Sequence, residues 1–549
     1  MLYDRIIPNS LVREGEDWYE PSVEPIKVSA ELSYKIKVLG AGEIPVYVVR
    51  GNLGDLIVTS YVLVRDVFKT LIERENLQTS IKGGKVLVKP NCTLPPGLFT
   101  MNENTKRLME INNISPESNY QTVDTPASAL QAVVDAILEY DPEEVAVGES
   151  VIWPGGTKRA FYELGYSKIF SHPKYTKVTF IDLHQSEYIE LEEKPDPKQL
   201  SYEIEETATR AKVPQALFDE NWSLIVNLPG LKTHTNALYT LSLKGFSISF
   251  LQPKTRYRIH GIPEESFKQF EQFKSLEPTR EQEEITRDEQ KHFQIQKVGK
   301  TKIVIEGSGN TTLPVTTYTH FNQALLHVDP LQKKGSYLGL LALSSAYLST
   351  RYMVIASQII KMLRKKGTKF ISLIYGTHAM EGEGPLIHGK PRRLNIAIAG
   401  TDPIATERIA LEVMFSDPEK ITGIKLSQLM YKFYQRYNVF NDELLDEVSD
   451  LWTLKLGKEL NVGEYRLEHI RTIILDAEGG EITNFADLRN GEKPFEIPLI
   501  YRENGCWGSI GNIEKLFLGK KSPLSFHALD PVDVIEIPMT PETAKEKEE

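Results

Sequence analysis

Short apolar runs alternate with amphipathic stretches over most of the chain, and this alternation predicts its main secondary structure. Seven runs have the length and composition of buried strands: Ile44–Arg50, Lys85–Asn91, Glu144–Ser150, Lys177–Asp182, Ser223–Val226, Lys369–Tyr375 and Leu394–Ala399. Helical spacing fills the stretch Asp55–Leu77 and the segment that starts at Thr125, where threonine suits an N-cap and the following proline suits the first helical position. Strands that alternate with helices in this way predict a parallel sheet.

We therefore predict an α/β fold in which a mostly parallel open sheet carries helices on both faces. Residues 1–44 are polar and show no sustained period, which predicts an N-terminal extension. Residues 45–415 form the predicted core domain, with insertions, some of them helical, at about 94–122, 185–220, 252–318 and 331–367. Residues 416–549 form a predicted α+β C-terminal extension.

Two segments within the insertions have a distinct character. Charged residues dominate 264–300, which predicts a solvated insertion that is helical in part. The apolar-rich segment Leu338–Lys366 ends in several cations, as suits a helix C-terminus. A core-packed helix and a membrane-surface helix both fit this segment, and its scattered polar positions favour the core-packed one.

The charge balance gives no strong signal for nucleic acid or for an anionic membrane. The 549 residues contain 64 Lys and Arg against 75 Asp and Glu, which leaves a net charge of −11 that is mild for this length. No apolar run reaches the roughly 18 residues of a membrane span, so no transmembrane segment is expected. A protein partner or a homo-oligomer remains open.

The chain contains two cysteines, Cys92 and Cys506, which cannot supply the four thiolates of an iron–sulfur or zinc site. An iron–sulfur cluster is therefore not expected. Low cysteine content favours a reducing compartment, and the first residues lack the continuous apolar core of a signal peptide. We expect a cytoplasmic protein.

Polar residues follow the predicted strands at their carboxyl ends. In an open parallel sheet ligands bind at this edge, because the loops there lead into helix N-termini. Five clusters occupy such positions: Lys89/Asn91, Glu149/Ser150, Lys232/Thr233/His234, His378/Glu381/Glu383 and Thr401/Asp402. Lys244 follows shortly after the third cluster. We predict that the clusters share one rim and form a site for a small anionic ligand.

The basic candidates each have a structural alternative. Lys89 and Lys232 either hold an anionic group or act as a base, or they reach solvent from a strand end. His234 is a general base, a metal ligand or a hydrogen-bonded structural residue. A divalent metal at the site is compatible with these residue types.

The acidic and glycine candidates also allow two interpretations. Asp402 precedes Pro403, so it suits a helix N-cap as well as a catalytic carboxylate. Glu381 has no such capping role. Gly382 and Gly384 predict backbone that lies close to another group, which a phosphate would suit. The chain has no P-loop, strand-linked GxGxxG, GxSxG or HExxH motif, so the sequence supplies no nucleotide, serine-hydrolase or zinc-protease signature.

Several separate motifs, in this order, resemble the uncharacterised family called domain of unknown function 362. They are Val86–Asn91, Thr125-Pro, Val145–Ser150, Leu224–His234, Leu243–Gly245, Ala379–Pro385 and Ala399–Pro403. The resemblance spans roughly residues 45–415 and implies an α/β fold with a site but no settled reaction. Some members carry an iron–sulfur ferredoxin-like segment, for which this chain has too few cysteines. It also has Ser372–Gly376 where members usually carry an aspartate.

Two functional hypotheses follow. The first is an enzyme that acts on a small carboxylate or phosphate by acid–base or metal-assisted chemistry. The second is a non-catalytic binding or assembly protein that contacts a macromolecular partner through its insertions and C-terminal extension. In the first hypothesis His234, Lys232 and Glu381 are catalytic, and the ligand-binding residues are Lys89, Asn91, Glu149, Ser150, Thr233, Lys244, Gly382, Gly384, Thr401 and Asp402.

Overall fold

The fold is described from a computed structural model of the chain. The structure describes residues 5–93, 95–97, 122–191, 211–251, 293–298, 301–306, 352–416, 418 and 452–496, with short gaps at 16–17, 29, 152–155, 235–236, 383 and 385–388. The C-terminal Thr543–Glu549, His260 and Cys506 lie outside the described residues.

The described strands are, in chain order, β1 (Arg5–Ile6), β2 (Lys35–Leu39), β3 (Ile44–Arg50), β4 (Lys85–Pro90), β5 (Glu144–Glu149), β6 (Val178–Asp182), β7 (Tyr188–Glu190), β8 (Lys212–Pro214), β9 (Leu224–Leu228), β10 (Gly230–His234), β11 (Leu238–Thr240), β12 (Phe293–Val298), β13 (Thr301–Glu306), β14 (Lys369–Gly382), β15 (Gly389–Arg392), β16 (Ile396–Gly400) and β17 (Ile470–Asp476).

The described α-helices are α1 (Leu56–Arg74), α2 (Gln78–Ile81), α3 (Ala127–Leu138), α4 (Gly156–Glu163), α5 (Tyr166–Phe170), α6 (Ala216–Asp219), α7 (Ser242–Phe250), α8 (352–365), α9 (Pro403–Met414) and α10 (Trp452–Glu459). Short 3₁₀ helices occupy Pro8–Ser10, Pro173–Tyr175, Leu183–Gln185, Leu467–His469 and Phe485–Arg489. None of the described helices is long and apolar enough to cross a bilayer.

One large sheet organises the described residues. Its strands lie in the order β1-β6-β5-β4-β9-β14-β16-β3-β17-β2, with β10, β11 and β15 attached beside β14. Strands β6, β5, β4, β9 and β14 run parallel to one another. The predicted α/β fold with a mostly parallel sheet is confirmed.

Helices cover both faces of the sheet, so its central strands are buried on both sides. Within β4 the side chains of Val86 and Val88 pack with α1 and α3, whereas Leu87 between them packs into the opposite layer with α7, α8 and α9. This alternation follows from the two-residue period of a strand. It explains why these strands are apolar without interruption.

Strands from both predicted extensions join this sheet. Residues 1–44 supply β1 and β2, which pair antiparallel at its two outer edges, and β17 from the C-terminal segment pairs parallel with β3. The extensions are therefore attached to the core by backbone hydrogen bonds. The domain boundaries themselves stay predictions.

Parts of the insertions are also described. Strands β12 and β13 form an antiparallel hairpin, so the end of the charged segment that was predicted to be partly helical is strand. Helix α8, the described part of the apolar-rich segment Leu338–Lys366, buries residues such as Tyr352, Ile355 and Ile359 completely. Those side chains pack into the core rather than face solvent.

One carboxylate fastens the C-terminal segment to the core. Asp402 accepts a hydrogen bond from the Ala405 N–H at 2.9 Å, which caps α9, and another from the Glu464 N–H at 3.0 Å. Gly463 lies so close that a Cβ there would stand 2.0 Å from an Asp402 oxygen. Burial raises the pKa of Asp402 to about 6 despite these hydrogen bonds.

The raised pKa of Asp402 predicts that the free energy of unfolding depends on pH. The folded protein holds this proton more tightly than the unfolded chain does, so the stability contributed by Asp402 falls as pH rises from about 4 to about 6. Asp402→Asn keeps an oxygen for the cap but carries no charge. We expect the free energy of unfolding of the variant, relative to wild type, to increase by roughly 2–3 kcal/mol between pH 4 and pH 7.

Urea unfolding at both pH values measures this difference. Loss of the Glu464 hydrogen bond shifts the variant equally at all pH values and cancels in the comparison. A difference that stays constant with pH would contradict the assignment.

Candidate functional site

A buried ion pair joins two strand ends at the carboxyl edge of the sheet. Lys89 is the next-to-last residue of β4 and Glu149 is the last residue of β5, and these strands are parallel neighbours. The Lys89 Nζ lies 2.9 Å from a Glu149 oxygen, and the two side chains are 0% and 1% exposed. The Lys89 ammonium has no hydrogen bond beyond this ion pair within the described part of the chain.

Glu149 is held by the backbone as well. One of its oxygens accepts a hydrogen bond from the Cys92 N–H at 3.1 Å and the other from the Ser150 N–H at 2.9 Å. Burial, reinforced by the Glu149 charge, raises the pKa of the Cys92 thiol well above its usual value. The thiol is therefore neutral, and its Sγ lies 3.9 Å from the Tyr166 hydroxyl.

The segment Val123–Thr125 crosses the end of β4 and completes the cluster. The Val123 carbonyl accepts hydrogen bonds from Lys232 Nζ at 2.6 Å and from the Asn91 amide at 3.1 Å. Thr125 accepts a hydrogen bond from the Asn91 N–H at 2.8 Å and donates one to the Leu228 carbonyl at 2.8 Å. This segment joins β4 to β9 and β10, and thereby brings Lys89, Asn91 and Lys232 together.

Asp124 is the residue in this segment that the sequence reasoning missed. It is fully buried and accepts a hydrogen bond from the Thr93 N–H. Its charge favours the protonated form of Lys232. An acidic residue directly before the Thr125-Pro helix start was the available signal, but it lies in no strand and so escaped a search of strand ends.

Lys232 is 1% exposed and lies on β10. Burial lowers the pKa of Lys232 to about 8, and nearby Lys89 acts in the same direction, while Asp124 opposes both. The amine therefore releases its proton close to neutral pH. Its hydrogen bond to Val123 survives that change, because a neutral amine still donates.

Lys244 lies in the first turn of α7 and is 7% exposed. Burial lowers the pKa of Lys244 to about 7, and the charge of Lys232 lowers it further. Within the described residues no hydrogen bond and no opposite charge offsets the burial of the Lys244 amine. Three lysines thus meet two carboxylates, Glu149 and Asp124, in one buried cluster.

A second group of candidates lies beyond the sheet on β10 and the long strand β14. Thr233 donates a hydrogen bond to the Gly382 carbonyl at 2.8 Å, and the neighbouring His234 is 6% exposed. Glu381 forms an ion pair with Arg392 at 2.5 Å and accepts the Glu496 N–H at 2.9 Å. Its described partners are therefore in β15 and the C-terminal segment, and none is a lysine of the buried cluster.

Protein backbone accounts for the two glycines near Glu381. A Cβ at Gly384 would stand 2.3 Å from the Thr233 carbonyl oxygen. Gly382 has a φ of +73° and donates its N–H to the Glu496 carbonyl at 2.6 Å. The close approach that the sequence predicted is thus to β10 and the C-terminal segment.

Thr401 and Asp402 lie away from the lysine cluster, so the expectation of one rim for all five clusters is wrong. Strand β16 runs antiparallel to β14, with Gly400 opposite Ser372 and Ala397 opposite Tyr375. The chain therefore leaves β16 towards the amino ends of the parallel strands. The N-cap interpretation of Asp402 is the one that its hydrogen bond to Ala405 supports.

Comparison with known proteins identifies the family. A family model described as domain of unknown function (DUF362) matches residues 109–412, more than half of the chain. The chain belongs to the DUF362 family. The match confirms the resemblance drawn from the motifs and includes Glu149, Lys232 and Lys244, whereas Lys89 precedes it. No curated protein and no solved structure matches this DUF362 protein.

His378 of this DUF362 protein lies on β14 and is 3% exposed. Burial lowers the pKa of His378 to about 4, with a smaller contribution from the Arg393 charge, so the ring is neutral at pH 7. Its Nε2 has no hydrogen-bond partner in the described segments. Glu383 of the same predicted cluster lies outside the described residues.

A metal site is not evident in the part of the chain that the structure describes. No group of three or more His, Cys, Asp and Glu side chains there is arranged to hold a metal ion. The two Glu149 oxygens are engaged by backbone N–H groups and by Lys89. The buried lysines, rather than a ligand set for a cation, dominate the electrostatics of this DUF362 site.

Replacing Lys244 with methionine should stabilise the protein, because methionine fills similar space without a buried amine. The folded-state pKa of Lys244 is about 7 and the unfolded value about 10.5. The cost of the buried charge is therefore complete below pH 7 and disappears as pH rises towards 10.5. We expect Lys244→Met to raise the free energy of unfolding by about 1–3 kcal/mol at pH 6 and by less at pH 9.

Urea unfolding at the two pH values tests this expectation. Lys82→Met serves as the control, since Lys82 is exposed and lies between α2 and the amino end of β4. A destabilised Lys244→Met protein at pH 6 would mean that the amine has a structural role.

Proposed function

We propose that this DUF362 protein binds a small carboxylate or phosphate anion at the buried lysine cluster, and that one of the lysines exchanges a proton with it. The observation that carries the proposal is the excess of buried cations: among the described residues, Lys89, Lys232 and Lys244 face two carboxylates, those of Glu149 and Asp124. A buried charge without a partner is costly, so such a cluster favours an added anion.

Lys244 is the first contact for the anion in this proposal. Its amine has no partner among the described residues, whereas Lys89 is paired with Glu149 and Lys232 is bonded to Val123. An anion beside Lys244 stabilises its protonated form and raises its pKa. Bound ligand and lysine protonation are therefore coupled.

Proton transfer is the chemistry that suits these lysines. A base works best when its pKa lies near the working pH, and the pKa values of Lys244 and Lys232 are about 7 and about 8. When one of these amines is protonated and holds the anion, the other, neutral amine can accept a proton from an acidic O–H or C–H group of the ligand, which is left as its conjugate base. Lys232 and Lys244 carry this role in the proposal, with Lys89, Glu149 and Asn91 shaping the site.

The other sequence candidates have smaller parts in the proposal. Glu381 forms an ion pair with Arg392, and Thr233 donates a hydrogen bond to the Gly382 carbonyl. Both side chains therefore stabilise the region around β10 and β14. His234 follows Lys232 by two residues on the same strand and stays a candidate acid or base. The assembly hypothesis rests on the insertions, most of which lie outside the described residues.

Anion binding tests the proposal directly. Sulfate, phosphate and malonate are titrated into wild type, Lys244→Gln, Lys232→Gln and the exposed control Lys82→Gln by calorimetry. We expect at least one anion to bind wild type and the control equally, and the two cluster variants to bind it about 10- to 100-fold more weakly, since a charged hydrogen bond contributes about 1.5–3 kcal/mol. Equal affinity in all four proteins, or no binding of any anion, would overturn the proposal.

The affinity should also depend on pH. Sulfate remains a dianion between pH 6 and pH 9, so changes in its affinity report on the protein. Lys244 and then Lys232 lose their protons as pH rises through about 7 and about 8. Sulfate affinity measured by calorimetry should therefore be highest near pH 6 and fall by at least 10-fold by pH 9. A flat profile would exclude these lysines as the binding groups.

A further inference from the structure

The helix that carries Lys244 begins without a cap of its own. The first N–H groups of any α-helix lack partners within the helix. Leu241 occupies the N-cap position of α7 and supplies no side-chain hydrogen bond. The Leu243 N–H instead donates to a Glu407 oxygen at 2.6 Å. The cap of α7 thus comes from α9, more than 160 residues further along the chain.

The carboxyl group of Glu407 lowers the stability of the protein at this position. Its side chain is fully buried, and its second oxygen has no hydrogen-bond partner among the described residues. A buried polar atom without a partner costs free energy. Burial raises the pKa of Glu407 to about 8, and the hydrogen bond from Leu243 only partly opposes this. An apolar side chain would pack here at lower cost, so packing alone does not account for the carboxyl group.

The capped turn is the one that presents Lys244. Lys244 directly follows Leu243, and the same turn is held from the sheet by Asn227, whose amide donates to the Ser242 carbonyl at 2.8 Å and to the Ser242 hydroxyl at 2.9 Å. Asn227 lies level with Lys89 in the neighbouring strand. The turn is therefore fixed from two sides, by β9 and by α9.

We propose that Glu407 is a positioning residue, which holds the first turn of α7 so that the Lys244 amine faces the buried lysine cluster. The inference rests on the proposed anion site for its function. It adds a residue that belongs to none of the five strand-end clusters.

The experiment compares Glu407→Gln, which keeps an oxygen acceptor, with Glu407→Leu, which removes it. Glu412→Leu is the matched control, because Glu412 lies on the same helix and pairs with Arg408. Competitive acetylation with acetic anhydride across pH, followed by mass spectrometry, measures the reactivity and pKa of Lys244 in each folded protein. Sulfate affinity is measured in parallel.

We expect Glu407→Leu to change the acetylation rate of Lys244 at least 3-fold and to weaken sulfate binding about 10-fold. Glu407→Gln and the control should match wild type in both measurements. The inference would be overturned if both Glu407 variants differed from wild type in Lys244 acetylation and sulfate affinity, or if neither did.

Two further results keep the test decisive. If wild type binds none of sulfate, phosphate and malonate, the proposed function fails, but acetylation still reports whether Glu407 positions Lys244. If Glu407→Leu does not fold, Glu407→Asp takes its place, since its shorter side chain cannot reach Leu243 from the same backbone position. If Lys244 in Glu407→Asp were then acetylated at the same rate as in wild type, the inference would be overturned.

Discussion

An ammonium group that moves from water into a protein interior loses several kcal/mol of hydration, and only close partners recover it. The carboxyl edge of this sheet buries three such groups. The ion pair with Glu149 offsets the lost hydration of Lys89. For Lys232 the hydrogen bond to the Val123 carbonyl and the charge of Asp124 offset it. Lys244 recovers least, because no carboxylate of the described residues offsets its burial. The rest of the site is arranged around this uneven compensation.

The fold supports that arrangement by fixing the partners on different elements. Parallel pairing of β4 with β5 and β9 places Lys89, Glu149 and Asn227 at one edge. The segment before α3 then covers the edge with carbonyl and carboxylate oxygens. Helix α7 brings Lys244 from the opposite layer, where Glu407 and Asn227 hold its first turn. No single element forms the cluster, so its geometry depends on the whole core.

Much of this could be predicted from the sequence because it depends on local pattern. Short apolar runs such as Val86–Val88 identify strands buried on both faces, and the polar residues that follow them identify the edge. Strand direction was harder. Nothing within Leu394–Ala399 distinguishes a parallel from an antiparallel strand. Strand β16 proved antiparallel, so the chain leaves it at Thr401 and Asp402 towards the amino ends of the parallel strands. Asp124 and Glu407 also escaped, since both reach the site through tertiary contacts rather than through strand ends.

Asp402 at the start of α9 and Glu407 within α9 both have a pKa that burial raises. Their different contacts show that burial alone does not identify function. Asp402 has two backbone donors, caps α9 and fastens the C-terminal segment, so its contacts explain its presence. Glu407 has one described donor and one oxygen without a partner, and that donor belongs to the turn that presents Lys244. Natural cores keep such costly groups where a stabilising replacement would impair activity. The contrast therefore assigns a structural role to Asp402 and relates the cost of Glu407 to the lysine cluster.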